Sequence, residues 1–253
     1  MPNHLLPAFL PIIRTLKNSM PLTKEDLLKE KFLIKKDGEL EMYYAPHNEY
    51  INKTARIIIV GITPGWSQMK IAYEHFVKGL AAEKELEGIL KETKMAAGFA
   101  GSMRANLISM LNQCGIPKAL HINSSNALFH EKGSLLHTTS IIKYPVFYRG
   151  QNYTGHQPGI FQSNLLAEYA TKIFADEIGE LNENALIIPL GKTVESIIRH
   201  LLGDSRLTGH TFLFGFPHPS GANGHRIRQF EEQKYSLAET VRKWSEQKKN
   251  LQI

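Results

Sequence analysis

Two loops carry the residue types whose spacing could do chemistry. The first is Gly61–Gly65, GITPG, directly behind the β-branched run Ile57–Val60. Glycine at such a point lets a backbone approach a phosphate or a base closely. The second is Gly215–Arg226, GFPHPSGANGHR, which also follows an apolar run. Two loops of this kind can face each other across one cleft. Other chemistries are excluded by spacing. Gly191-Lys192-Thr193 resembles the end of a P-loop, but the glycine required five residues earlier is Leu186. His218 and His225 lie seven apart with no matching cluster, and none of the 11 histidines has the paired spacing of a zinc protease, so no metal is expected. No serine sits in a nucleophile-elbow pattern.

Rigid elements must hold these loops. Ile57–Gly61, without a polar break, predicts a strand buried on both faces of a parallel sheet. In open α/β sheets, ligands bind just beyond the carboxyl ends of such strands. Upstream, Leu5–Ile13 with Pro7 and Pro11 reads as an extended arm. Thr23, with Asp26 three residues on, starts a helix reaching Lys31, and Asp37-Gly38 turns a hairpin between Phe32–Ile34 and Leu40–Tyr44. Downstream, Met69 to Lys91 reads as one helix, and Met103–Cys114 as another closed by Gly115. Leu135–Ile142, Ala185–Leu190 and Thr211–Phe216 read as strands, with helices over Ser163–Ile178, Thr193–Leu202 and Arg228–Lys248. Lys143–Gln162 has neither period, and a loop of this length rich in aromatics points to function. The alternation predicts a parallel sheet with helices on both faces. An N-terminal arm, helix and hairpin over 1–50 would pack on an α/β domain over 51–253.

Composition allows this. With 253 residues, 42% of them hydrophobic, the chain can bury a full core. The formal charge of +6 favours a polyanionic partner. Cys114 is the single cysteine, which rules out a disulfide within the chain and any four-cysteine zinc or iron–sulfur site. Set in an apolar helical pattern, it reads as a core residue in a reducing, cytoplasmic setting. Leu5–Ile13 is too short to span a bilayer and lacks a basic stretch before it, and no membrane association is expected.

Four pieces, in order, resemble the uracil-DNA glycosylase superfamily. Val60–Gly65 (VGITPG) is similar to that superfamily's water-positioning loop. Gly98-Phe99-Ala100-Gly101, with the helix ending at Gly115, resembles the segment that supplies a phenylalanine to stack on the extruded base. Thr139-Ser140-Ile141-Ile142-Lys143 resembles the Thr-Asn-Val-Val-Lys strand end that reads the base edge. His218-Pro219-Ser220 is similar to its histidine–proline–serine loop. The resemblance covers roughly Arg56 to Trp244. It implies a three-layer α/β/α fold with a central parallel four-stranded sheet.

It also implies a hydrolase that flips a damaged or deaminated base out of DNA and cleaves its N-glycosidic bond, with no cofactor. Thr63 would position water and His218 would stabilise the departing base. Gly61, Ile62, Pro64, Gly65, Phe99, Ser140 and Ser220 would bind the substrate nucleotide. Lys143, Arg149, Gly221, Asn223, Arg226 and Arg228 would hold DNA, and the protein would act as a monomer. Four positions depart from the pattern. Thr63 stands where aspartate or asparagine is common, Ile62 at a position that is acidic in some branches, Ser140 replaces the base-reading asparagine, and Ala222 falls at the position of a duplex-wedging residue. Two further functions fit the same residues: a nucleic-acid-binding or base-sensing protein with little hydrolysis, and an enzyme acting on free nucleosides or nucleotides.

Overall fold

The structure, a computed structural model, describes residues 5–16, 21–182 and 184–247. Helices α1 (Leu6–Arg14) and α2 (Lys24–Leu27) precede a hairpin of β1 (Leu33–Asp37) and β2 (Leu40–Tyr43). Strand β3 (Ile57–Gly61) leads into α3 (Trp66–Ala81), α4 (Leu86–Ala97), α5 (Ser102–Gln113) and α6 (Ile116–Leu120). Then come β4 (Leu136–Ser140), β5 (Val146–Tyr148) and β6 (Gln151–Asn152). Helices α7 (Asn164–Glu168) and α8 (Phe174–Gly179) are joined by a π-helical turn, Tyr169–Ile173. The chain ends through β7 (Leu186–Pro189), α9 (Lys192–His200), β8 (Thr211–Phe212) and α10 (Arg226–Gln247). None of the described helices is long and apolar enough to cross a membrane.

These elements form a mixed α/β architecture whose chain divides into two compact units of interleaved segments. The first unit takes 1–51, 62–98 and 140–177, and the second takes 52–61, 99–139 and 178–253. The second unit holds the four-stranded parallel sheet, ordered β4-β3-β7-β8 and flanked by helices. Ile57 to Val60 pair in register with Leu186 to Pro189. Every residue of β3 and β7 is buried, as an unbroken β-branched run demands. Ile57, Ile59, Leu186 and Ile188 join one core with Leu107 and Leu111 of α5 and with Phe230, Leu237, Val241 and Trp244 of α10. Cys114 is buried in that core, and burial pushes its thiol up to about 12. From β3 the chain next enters the sheet as β4, on one side, whereas from β7 it enters as β8, on the other. Such a reversal opens a crevice at the carboxyl ends of the two central strands.

The first unit holds an antiparallel sheet, β1-β2-β5-β6. Its helices pack closely. A Cβ added at Gly79 of α3 would come within 2.8 Å of Ile89 Cγ2 on α4. Phe9 of α1 stacks on Tyr44 with ring centroids 4.3 Å apart.

Several sequence expectations change here. Leu5–Ile13 is helical from Leu6 rather than extended: Pro7 lies in the first turn, where its missing N–H costs nothing. The single helix expected from Met69 to Lys91 is two, broken where Glu83 adopts a left-handed φ of 52°. Lys143–Gln162 contains the β5–β6 hairpin. Its turn, Arg149-Gly150, has φ of 50° and 71°, the positive pair that a tight two-residue hairpin requires. The last strand stops at Phe212 instead of Phe216. Ser163 caps α7 as expected, its side chain accepting the Leu166 N–H, but a π-helical turn interrupts the helix beyond. The expected end of the last helix, Lys248, lies outside the described residues.

Candidate functional site

In the second unit, Gly191 follows β7 with φ 86°, and a Cβ there would meet His218 Cβ at 3.1 Å. The Gly191 N–H donates to Phe216 O at 2.9 Å, while the Leu190 N–H donates to Val60 O, next to the buried strand end Gly61. The His218 loop is thereby seated at the carboxyl end of the sheet. Its backbone then fixes the imidazole. The Ser220 N–H donates to His218 Nδ1 at 3.2 Å, so Nδ1 is the acceptor and Nε2 carries the proton. Burial lowers the His218 pKa, which keeps the ring neutral near pH 7. Nε2 has no hydrogen-bond partner among the described residues.

The loop is stapled by three side chains. Asn106 of α5 donates from Nδ2 to Pro219 O at 2.9 Å. Arg226 donates from Nη1 to Ser220 O at 2.9 Å. Asn223 donates to His218 O at 3.2 Å and to Gln229 Oε1 at 3.0 Å, and its Oδ1 accepts the His225 N–H. Asn223 and Arg226 therefore shape the loop, where contact with DNA was expected. Ser220 Oγ accepts the Ala222 N–H, and Gly221 is exposed at the tip. Arg228 is open to solvent, its side chain 73% exposed beside Glu232.

Phe99 belongs to the same unit. Its φ is 50°, rare for a bulky residue, yet the side chain is only 6% exposed and packs in the core with Ile57 and Leu107. In this conformation the ring fills space in place of the expected stacking on a base.

The first unit holds the other expected residues. Thr63 Oγ1 donates to Tyr144 O at 2.8 Å and accepts the Val146 N–H at 3.2 Å. Its hydrogen is committed, which leaves one lone pair for any water. Ile62 O accepts the Ile142 N–H at 2.9 Å, and Pro64 is buried. The Gly65 N–H is taken by Gln68 Oε1 and the Trp66 N–H by Asn152 Oδ1, so these two groups at the start of α3 are already satisfied within the protein. Ser140 ends β4, half-buried. Arg149 sits at the β5–β6 turn, its side chain 68% exposed. Lys143 corrects the expectation most plainly. Only 4% exposed, with Nζ 3.6 Å from the buried Glu177, it pairs in the interior and offers no charge to phosphate.

A protein of Bacillus subtilis (strain 168) described as uncharacterized, YoxB, is 49% identical to this chain over 224 residues, which is 88% of each. The chain belongs to the YoxB family. No family model matches it. No solved structure matches it either.

The chemical capacity of this YoxB-family chain is clearest at His218. A neutral imidazole in a tautomer set by the backbone presents one N–H donor at the end of a parallel sheet. Asn106 is the residue that sequence reasoning missed. A polar residue in mid-helix carries no signal of its target, and only the fold brings Nδ2 to Pro219.

Proposed function

We propose that this protein is a hydrolase that cleaves the N-glycosidic bond of a damaged or deaminated base in DNA, with the three-layer fold of the uracil-DNA glycosylase superfamily that its motifs resemble. The observation that carries the reading is the fixed tautomer of His218. A base leaving its sugar departs with the bonding electron pair. A neutral imidazole N–H aimed at the resulting anion stabilises it without surrendering its proton, and one such donor is worth about 10²–10³ in rate. The +6 charge and the exposed Arg149 and Arg228 support a DNA partner. The protein would act in the cytoplasm as a monomer, without metal or cofactor.

One observation favours a second reading, a base-binding protein with little turnover. The Thr63 hydroxyl, in the position that the resemblance assigns to water, already gives its hydrogen to Tyr144 O. A panel of strands carrying uracil, hypoxanthine, xanthine or an alkylated base separates the readings. Cleavage of one of them, with binding that weakens steeply as salt rises, supports the hydrolase. Salt-sensitive binding without cleavage selects the binder. Absence of both contradicts any DNA function and leaves free nucleosides and nucleotides to be tried.

A further inference from the structure

The first unit buries an unusual concentration of ionisable groups unrelated to the His218 loop. Lys94, in the last turn of α4, is 6% exposed. The turn Pro46–Glu49 contributes His47 at 3%, with Asn48 and Glu49 at 4% each. Lys143, at 4%, follows β4, and Glu177, at 5%, lies on α8. Tyr44, Tyr144 and Tyr169 are buried too, with Tyr144 in ring contact with both of the others. Tyr169 opens the π-helical turn, a distortion frequent at functional sites.

The bonding within this cluster is uneven. Lys143 Nζ lies 3.6 Å from Glu177, and the Tyr144 hydroxyl donates to Glu49 Oε1 at 2.8 Å. Lys94 forms no ion pair among the described residues. Its one side-chain hydrogen bond among the described residues runs from Nζ to Asn48 Oδ1 at 3.3 Å, with Asn48 held in place because its Nδ2 donates to Lys143 O. An ammonium has three protons to place, and one bond leaves two of them without an acceptor among the described protein groups. A neutral amine suits the site better and keeps a lone pair. Nearby, His47 Nδ1 and the Thr93 hydroxyl are buried polar atoms without a hydrogen-bond partner among the described residues. Burial of polar atoms without full pairing within the protein is costly.

We propose that Lys94 is a carbonyl-reactive amine in a second site of this protein, one that takes a small aldehyde or ketone as an imine. The Nζ lone pair forms a bond to the carbonyl carbon while the C=O π pair moves to oxygen. One amine proton moves to that oxygen and gives a carbinolamine hydroxyl; the hydroxyl then takes the second amine proton and leaves as water while the nitrogen lone pair closes the C=N bond. Desolvation, with Lys143 as a like-charged neighbour, pushes Lys94 down to about 8 against the pull of Glu177 and Glu49. Burial, and then the Lys94 charge, hold His47 well below its ordinary value, as a neutral ring. The tyrosines of the cluster, Tyr44, Tyr144 and Tyr169, are all raised by burial and stay neutral across the same range.

The test is reductive methylation of the native protein with formaldehyde and cyanoborohydride at pH 7.5, each lysine followed by peptide mass mapping. Lys94 is expected to be methylated about tenfold or more faster than an average exposed lysine, because far more of it is neutral at that pH. Its rate should rise with a midpoint near 8, well below the ordinary lysine value of about 10.4. Acetone, under the same reductant, should leave its larger adduct first at Lys94. Methylation in order of exposure, with Lys94 last, would overturn the proposal and mark the cluster as a structural network. So would a Lys94 midpoint at the ordinary lysine value of about 10.4. Because the wild-type map decides the matter, the folding of a Lys94→Met variant is not at issue; if folded, it should lose the fast phase and keep the rest.

Discussion

At His218 the loop's own backbone decides which ring nitrogen carries the proton. The Ser220 N–H occupies Nδ1, and Asn106, Asn223 and Arg226 hold the peptide that presents it. A ¹⁵N spectrum at pH 7.5 should therefore show a neutral ring protonated at Nε2, titrating below 6.5. Thr63 is organised in the opposite way, its hydroxyl bridging Tyr144 O and the Val146 N–H with a single lone pair left over. Thr63→Val would leave that carbonyl and N–H unpaired and should cost about 1–3 kcal/mol in denaturant unfolding. Unchanged stability would show that the bridge is dispensable and the hydroxyl free for other work. The histidine was visible in sequence because a His-Pro-Ser run is compact. The engagement of Thr63 was not, since its partners lie 81 and 83 residues away.

Among the elements, local signals were legible and distant pairings were not. Ile57–Gly61 declared itself through a run that only a doubly buried strand needs, and Asp37-Gly38 through turn chemistry. Strands β5 and β6 escaped notice because they are short and because β5 is held by β2, a hundred residues earlier in register: Leu40 opposite Tyr148 and Met42 opposite Val146. Their turn also places an arginine at positive φ, where asparagine is the usual choice. Arg149→Asn should raise stability by about 1 kcal/mol, read as a shifted thermal midpoint. Helix α3 pays for its approach to α4 with a glycine. Although alanine favours helix by about 1 kcal/mol, Gly79→Ala should destabilise the protein by about 1–3 kcal/mol through overlap with Ile89. A gain in stability would mean that Ile89 can move aside.

For the whole molecule, buried ionisable groups set the response to pH. His47 and His218 are both lowered by burial, so each is neutral in the folded chain while its unfolded counterpart takes up a proton near 6.5. Their contribution is complete above that value and is lost as pH falls through the folded pKa. Stability should drop below about pH 6.5 by up to roughly 1.4 kcal/mol per pH unit for each group. A flat profile between pH 6.5 and 5 would contradict their burial as neutral rings. Sequence could not foresee this, because it placed neither His47 nor Lys94 inside. The functional claim rests instead on His218, and the most direct measurement is single-turnover cleavage of a strand whose base the wild-type protein removes, at pH 7.5, by wild type and His218→Ala. A rate lowered about 10²–10³ with DNA affinity nearly unchanged is the predicted result. Equal rates for the two proteins would contradict it.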